Sequence, residues 1–267
     1  MLPLWNRRWS FQLNSRKVAP EYKDETSDWK KLSMTQDPLS RVETLTFDIF
    51  GTVMDLAGSL VPPTDTFLAE HGSDVTGLEF WRDWRERQRI EQYQDNLLML
   101  GHSGYLETCR RAFVYCLKRH DVNFTDQAVR EFMKAYEDLR PYDDAVDGLK
   151  SLSNRYKLVA LSNGEQWYLE ELLKNNIPID FQTIISVQQV GVFKPNPAVY
   201  RKAVQLLGSE PSRIMMVAAH AFDILGAQAC GFRSAYVNRY RLPTEVSTYQ
   251  PDIVVNDFVE LAGRLLS

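Results

Sequence analysis

The stretch Leu45-Thr46-Phe47-Asp48-Ile49-Phe50-Gly51-Thr52 decides the fold. From Val42 to Phe47 the chain reads as a short, mostly apolar strand with several β-branched residues. Asp48 stands at its carboxyl end, and Gly51 permits a sharp turn before Thr52. In an open α/β sheet, ligands bind at the carboxyl ends of the strands. A carboxylate there is partly desolvated, and the turn offers backbone N–H groups to hold it; a nucleophilic aspartate is prepared in this way. An aspartate that only caps the strand or the next turn satisfies the same octamer. The rest of the chain decides between the two.

Beyond Pro141 strands and helices alternate. Ala145 to Arg155 reads as a helix, and Lys157 to Leu161 as an apolar strand ending in Ser162-Asn163-Gly164. A helix over Gln166–Asn175, a strand over Thr183–Val187 and a helix over Pro197–Leu207 follow, the last opened by its proline. Ile214–Ala219 is a strand, and Asp223–Cys230 a helix closed at Gly231. Strands at Ser234–Asn238 and Ile253–Val255 and a helix at Phe258–Leu266 complete the chain. Apolar strands alternating with helices predict an α/β fold, a parallel sheet wound on both faces.

Between the first strand and this region no strand alternation occurs. Leu78–Leu100 has helical spacing, with Trp81, Trp84, Gln88 and Ile90 among many charges. Gly104–His120 carries Leu106, Phe113 and Leu117 on one stripe, and Thr125 caps a third helix running to Leu139. The expected organisation is an α/β core of residues 41–56 and 141–267, an all-helical insert of residues 57–140, and an N-terminal extension of residues 1–40.

The 267 residues are 44% hydrophobic and 25% charged, a globular composition, with a formal net charge of -4. No basic run or aromatic-laced basic stripe points to nucleic acid, and no apolar stretch reaches membrane-spanning length. The extension mixes Trp5, Trp9 and Phe11 with Arg7, Arg8, Arg16 and Lys17, and its first acidic residue is Glu21. It reads as a loosely docked or flexible tail, with an organelle-targeting presequence, mitochondrial for instance, as the second reading. Three cysteines, Cys109, Cys116 and Cys230, match no metal spacing and are expected as buried free thiols in a reducing, cytoplasmic setting. His71, His102 and His120 show no metal-ligand spacing either.

In a parallel sheet the carboxyl ends of the strands share one rim. Asp48 and Thr52, Ser162 and Asn163, Lys194, and finally His220 and Asp223 follow successive strands, so their side chains are expected to meet. Two carboxylates, hydroxyls and a lysine on one rim make an anion site. Pro195 and Pro197 fix the backbone beside Lys194. Its charge offsets the repulsion between the two carboxylates and keeps Asp48 ionised. A purely structural Lys194–Asp223 pair, a solvated Arg85, a core role for Trp81, Trp84 and Tyr105, and a chemically silent His220 are the bland alternatives.

This set resembles the haloacid dehalogenase superfamily from about Arg41 onward, with its doubly wound core and inserted helical cap. Superfamily phosphatases carry a second aspartate two residues after the nucleophile and a Gly-Asp pair before the last aspartate, for magnesium. Phe50 and Ala218-Ala219 stand in those places here. Mg²⁺ needs several hard oxygens, so the resemblance implies no metal and no cofactor. The chain is most similar to the type II 2-haloacid dehalogenases. Asp48-Ile49-Phe50-Gly51-Thr52, Ser162-Asn163-Gly164, Lys194-Pro195-Asn196 with Tyr200, and Gly231-Phe232 followed by Val237-Asn238-Arg239 carry the likeness. Trp84-Arg85 followed by Gln88 resembles the segment bearing that family's halide-side arginine.

The resemblance implies a hydrolase of carbon–halogen bonds that turns (S)-2-haloacids into 2-hydroxy acids through an aspartyl ester. Asp48 is then the nucleophile. Thr52 and Ser162, with backbone N–H groups, hold it and the substrate carboxylate. Lys194 and Tyr200 orient the network, and Asp223 positions or activates water. Arg85 and Asn163 receive the halide, and Phe50, Tyr105 and Phe222 line the pocket. Ala218 and His220 depart from the family's Ser and Asn, and His220 is expected to hold the hydrolytic water or act as a base. The partner implied is a small carboxylic acid; many members are homodimers. Competing classes are a superfamily hydrolase of an unrelated metabolite, a phosphatase, and a non-catalytic binding protein.

Overall fold

The computed structural model describes residues 37–99, 101–243 and 245–267. The readings made for residues 1–36 and for position 100 lie outside the described residues. Strands β1 (Thr44–Phe47), β2 (Lys157–Ser162), β3 (Thr183–Ser186), β4 (Ile214–Ala218), β5 (Arg233–Val237) and β6 (Ile253–Val255) form one sheet in the order β3-β2-β1-β4-β5-β6. Every pairing is parallel. All residues of β1 and β4 are buried, as a sheet covered on both faces requires.

The register sets Phe47 opposite Ala160 on one side and Val217 on the other. From β1 the chain winds outward through β2 and β3, then returns to build β4, β5 and β6 on the other flank. The winding direction therefore reverses beside the carboxyl end of β1, where such sheets open a crevice for ligands.

Alternate side chains feed two apolar clusters. Leu45, Phe47, Met215 and Val217 join one with α5 (Asp143–Leu152) and α9 (Phe258–Leu266), where Phe47 stacks on Phe258 at 5.8 Å. Leu161, Met216 and Ala218 join the other with α7 (Pro197–Leu207) and α8 (Ala221–Ala229). Helix α6 (Gln166–Asn176) follows β2.

Between β1 and β2 the described residues form only helices: α1 (Leu56–Glu70), α2 (Gly77–Leu97), α3 (Tyr105–Arg119), α4 (Asp126–Met133) and a 3₁₀ turn over Lys134–Asp138 before α5. Helix α1 is absent from the sequence reading. Pro62 and Pro63 lie inside it, where proline ordinarily breaks the pattern, and Asp55 caps it by accepting from Gly58 N–H at 2.9 Å. The helix expected up to Leu139 stops at Met133 and tightens into the 3₁₀ turn. Thr125 caps it as expected, accepting from Ala128 N–H at 3.1 Å. Trp84 packs in the centre, edge-on to Phe113 at 4.9 Å, and its indole N–H donates to Cys109 O at 2.8 Å. Cys109 and Cys116 are buried free thiols, and burial pushes both up to about 12. Cys230 is only half-buried, against expectation, because it lies at the surface end of α8.

Candidate active site

Asp48 leaves β1 with its N–H bonded to Val217 O at 3.0 Å, which holds the residue in line with the strand. Its side chain is 10% exposed. Oδ1 accepts from Lys194 Nζ at 3.0 Å, and Oδ2 accepts from Thr52 Oγ1 at 2.7 Å. His220 Nδ1 lies 3.0 Å from Oδ2. Side chains thus hold the carboxylate, whereas the N–H groups of Thr52, Val53 and Met54 close onto Ile49 O. That corrects the expectation that the turn's backbone holds Asp48. Gly51 has φ 86°, and a Cβ there would stand 2.8 Å from the Tyr240 hydroxyl and 3.1 Å from His220 Cε1, so this position requires glycine twice over.

Lys194 is 1% exposed and spends all three N–H bonds: on Asp48, on Asp223 Oδ2 at 2.6 Å and on Leu161 O at 2.7 Å. Tyr200 donates its hydroxyl to the other oxygen of Asp223 at 2.6 Å. Asp223 is therefore sealed, with no exposed surface. Lys194 is itself placed by its backbone N–H, which donates to Asn163 Oδ1 at 2.8 Å. Asn96 on α2 pins the preceding residue by bonding both Phe193 O and Phe193 N–H, each at 2.8 Å.

Charges sort accordingly. Burial alone would raise Asp48, but the Lys194 charge and the donors His220 and Thr52 outweigh it and hold its carboxyl well below the usual range. Asp223 moves up: burial raises it and the Asp48 charge adds to that, against Lys194 and Tyr200. Lys194 stays protonated, since two carboxylates overcome its burial. Burial brings His220 down to about 4, despite Asp48 beside it. The ring is therefore neutral at pH 7 and acts on Asp48 as a hydrogen-bond donor rather than a cation. Its partners assign the tautomer: Nδ1–H faces Asp48, and the Nε2 lone pair faces an Arg85 N–H at 3.5 Å.

Of the other expected residues, Arg85 is half-buried between His220 and Gln88, whose Oε1 accepts from it, and so is not a solvated face residue. Asn163 turns its Nδ2 toward Gln92 Oε1 at 3.4 Å. Phe50 stacks on Tyr105 at 4.0 Å and on Tyr168 at 5.8 Å, an aromatic wall joining β1's turn to α3. Phe222 stacks on His220 at 5.4 Å. Ser162 does not help to hold Asp48. It is fully buried, its Oγ accepts from Gly164 N–H at 3.4 Å, and no hydrogen bond ties it to Asp48 among the described residues. Thr52 Oγ1 is likewise committed, donating to Asp48 and accepting from Ala219 N–H at 2.9 Å, which leaves no donor for a substrate carboxylate.

Several contributors escaped the sequence reading. Tyr240 donates to Gly51 O at 2.9 Å, and Arg239 bonds Thr52 O at 2.9 Å while gripping Asp144 at 2.9 and 2.8 Å. His102 meets Asn163 O at 3.1 Å. On α2, Arg85, Gln88, Arg89, Gln92 and Asn96 follow helical spacing, one polar stripe aimed at the rim. That repeat is visible in the sequence. Its direction is not, because the opposite face of α2 is also full of charges.

Each oxygen of the two carboxylates already accepts from a side chain, Lys194, Thr52, His220 or Tyr200. Among the described residues no group of three or more His, Cys, Asp or Glu side chains is placed to hold a metal ion.

A buried, ionised aspartate at the switch point of a parallel sheet, tied to a sealed lysine and a second aspartate, defines a hydrolase of the nucleophilic-aspartate class. A family profile described as haloacid dehalogenase-like hydrolase matches residues 42–231. The chain belongs to that family, on its type II 2-haloacid dehalogenase-like branch. It is 29% identical over 224 residues to (S)-2-haloacid dehalogenase 1 of Pseudomonas sp. (strain CBS-3), covering 82% of this chain and 95% of the relative. It is 30% identical over 199 residues to the (S)-2-haloacid dehalogenase of Xanthobacter autotrophicus, covering 74% and 76%. A solved structure of L-2-haloacid dehalogenase from Xanthobacter autotrophicus, with chloropropionic acid covalently bound, superposes with a TM-score of 0.72 at 26% identity over 84% of this chain and 98% of that one.

Proposed function

We propose that this chain hydrolyses the carbon–halogen bond of short (S)-2-haloacids by way of an ester on Asp48. The observation that carries the reading is Asp48 itself, ionised, nearly sealed from water and held from both oxygens. The names of its relatives, one seen with chloropropionic acid covalently bound, support it. The helices of residues 56–138 form the cap that keeps the site dry, because a desolvated carboxylate attacks carbon far better than a hydrated one.

Asp48 attacks C2 from the side opposite the halogen. The new O–C2 bond forms as the C–halogen bond breaks, and the electron pair leaves with halide toward Arg85 and Asn163. Water then adds to the Asp48 carbonyl carbon. The negative charge that develops on the outer carboxyl oxygen meets Lys194 or Thr52, whichever oxygen carries the ester. Collapse releases the 2-hydroxy acid with inverted configuration and restores Asp48. One proton is left over per turnover; the Nε2 lone pair of the neutral His220 ring, released when Arg85 turns to the halide, takes it and passes it to solvent. Asp223, sealed by Lys194 and Tyr200, acts as a positioning residue for the lysine and does not touch the water.

The test is halide release from (S)-2-chloropropionate and a panel of other haloacids. Release that favours the S enantiomer and falls by at least about 10³-fold in Asp48→Asn supports the reading. No release from any haloacid, or metal-dependent release of phosphate from an aryl phosphate, contradicts it.

A further inference from the structure

Arg85 and Arg89 stand one helical turn apart on the site-facing stripe of α2, with Cβ atoms about 6 Å apart in such a helix. Lys194 and Arg85 already balance Asp48 and Asp223. Arg89 is a surplus cation. It forms no hydrogen bond or ion pair among the described residues, and its Nε is buried without a partner. Burial and the Arg85 charge both push it down. A buried N–H left this way is costly, and a ligand anion relieves the cost. Two amide donors on the same stripe, Gln88 Nε2 and Gln92 Nε2, are also buried and unpartnered. The alkyl tail of a simple haloacid satisfies none of the three.

Arg89 feels the charge of Asp48 and bears on His220 but bonds neither. Arg85 touches His220 beside Asp48, whereas Arg89 is flanked by Tyr93 and Tyr240, which are 37% and 42% exposed at the rim. The carboxylate on the attacked carbon stays close to Asp48. A group that reaches Arg89 belongs to the far end of the substrate.

We infer that the site is built for 2-halo acids bearing a second, distal carboxylate, which Arg89 binds with the help of the Gln88 and Gln92 amides. This rests on the dehalogenation reading for the reacting end and makes Arg89 a specificity-determining residue.

Binding and turnover test it separately. Calorimetry on the wild-type protein with unreactive acids is expected to show succinate binding at least about tenfold tighter than butyrate, and Arg89→Leu is expected to remove that preference. Arg89→Lys should keep part of it, because the charge remains. In turnover, the ratio of kcat/KM for 2-chlorosuccinate over 2-chloropropionate should fall about tenfold or more in Arg89→Leu. Equal binding of succinate and butyrate, or an equal loss on both chloro acids, would overturn the proposal; the equal loss would mean that Arg89 serves the carboxylate next to the reacting carbon. Succinate preference without halide release from either acid would sink the dehalogenation reading and leave Arg89 as a dicarboxylate anchor.

Discussion

Lys194 neutralises two carboxylates with one ammonium, so its charge is the most exposed point of failure in the site. Lys194→Met leaves Asp48 and Asp223 buried, facing each other without a counter-charge. We expect a loss of about 3–5 kcal/mol in denaturant unfolding, together with a near-complete loss of turnover. His220 makes a pH prediction. Its folded value near 4 lies below the ordinary 6.5, so the unfolded chain binds the extra proton first. Stability carried by the neutral ring is full above about 6.5, falls as the pH drops toward about 4, and does not fall further on its account below that. The acid limb of kcat/KM should likewise sit near pH 4 rather than 6.5, read from a pH–rate profile, and His220→Asn should shift or remove it. At this scale the meeting of Asp48, Lys194, Tyr200 and Asp223 was legible because each follows a parallel strand or the helix beside one. The sealing of Ser162 and Asp223 was not legible, since burial depends on neighbours that the local sequence does not name.

At the scale of elements, α2 does two jobs with one stripe. Its middle turns, from Arg85 to Gln92, reach the rim, and Asn96 in the last turn clamps Phe193, next to Lys194. Asn96→Ala strips two hydrogen bonds from that loop. We expect about 1–3 kcal/mol of destabilisation by urea unfolding and a drop in kcat, because the lysine loses its fixed approach. The helices of the insert were legible from their spacing and from the Thr125 cap, whereas α1 was hidden behind Pro62 and Pro63. Strand positions were legible from continuous apolar runs, and their ends differ by a residue or two where pairing partners, not composition, set the limit.

At the scale of the molecule, a parallel sheet wound on both faces places its reactive groups on one rim without any residue being near another in the chain. Asp48 and His220, in contact, are 172 positions apart. The winding was legible from alternation alone. The clamp of Arg239 on Thr52 and Asp144, which ties β5's following loop to the turn after β1 and to α5, was not, because no local pattern announces a pairing across 95 positions. With Phe50 and Ala218-Ala219 in place of the magnesium carboxylates of the superfamily phosphatases, turnover should be unchanged by EDTA and unstimulated by added Mg²⁺ in an initial-rate assay; a collapse on chelation would contradict the mechanism. The most direct measurement is a single turnover in ¹⁸O-water with enzyme in excess over haloacid. The ester route requires that the 2-hydroxy acid carry unlabelled oxygen taken from Asp48, with the label found in the protein on that side chain. Label appearing directly in the product, and none on Asp48, would mean that water attacks the substrate itself.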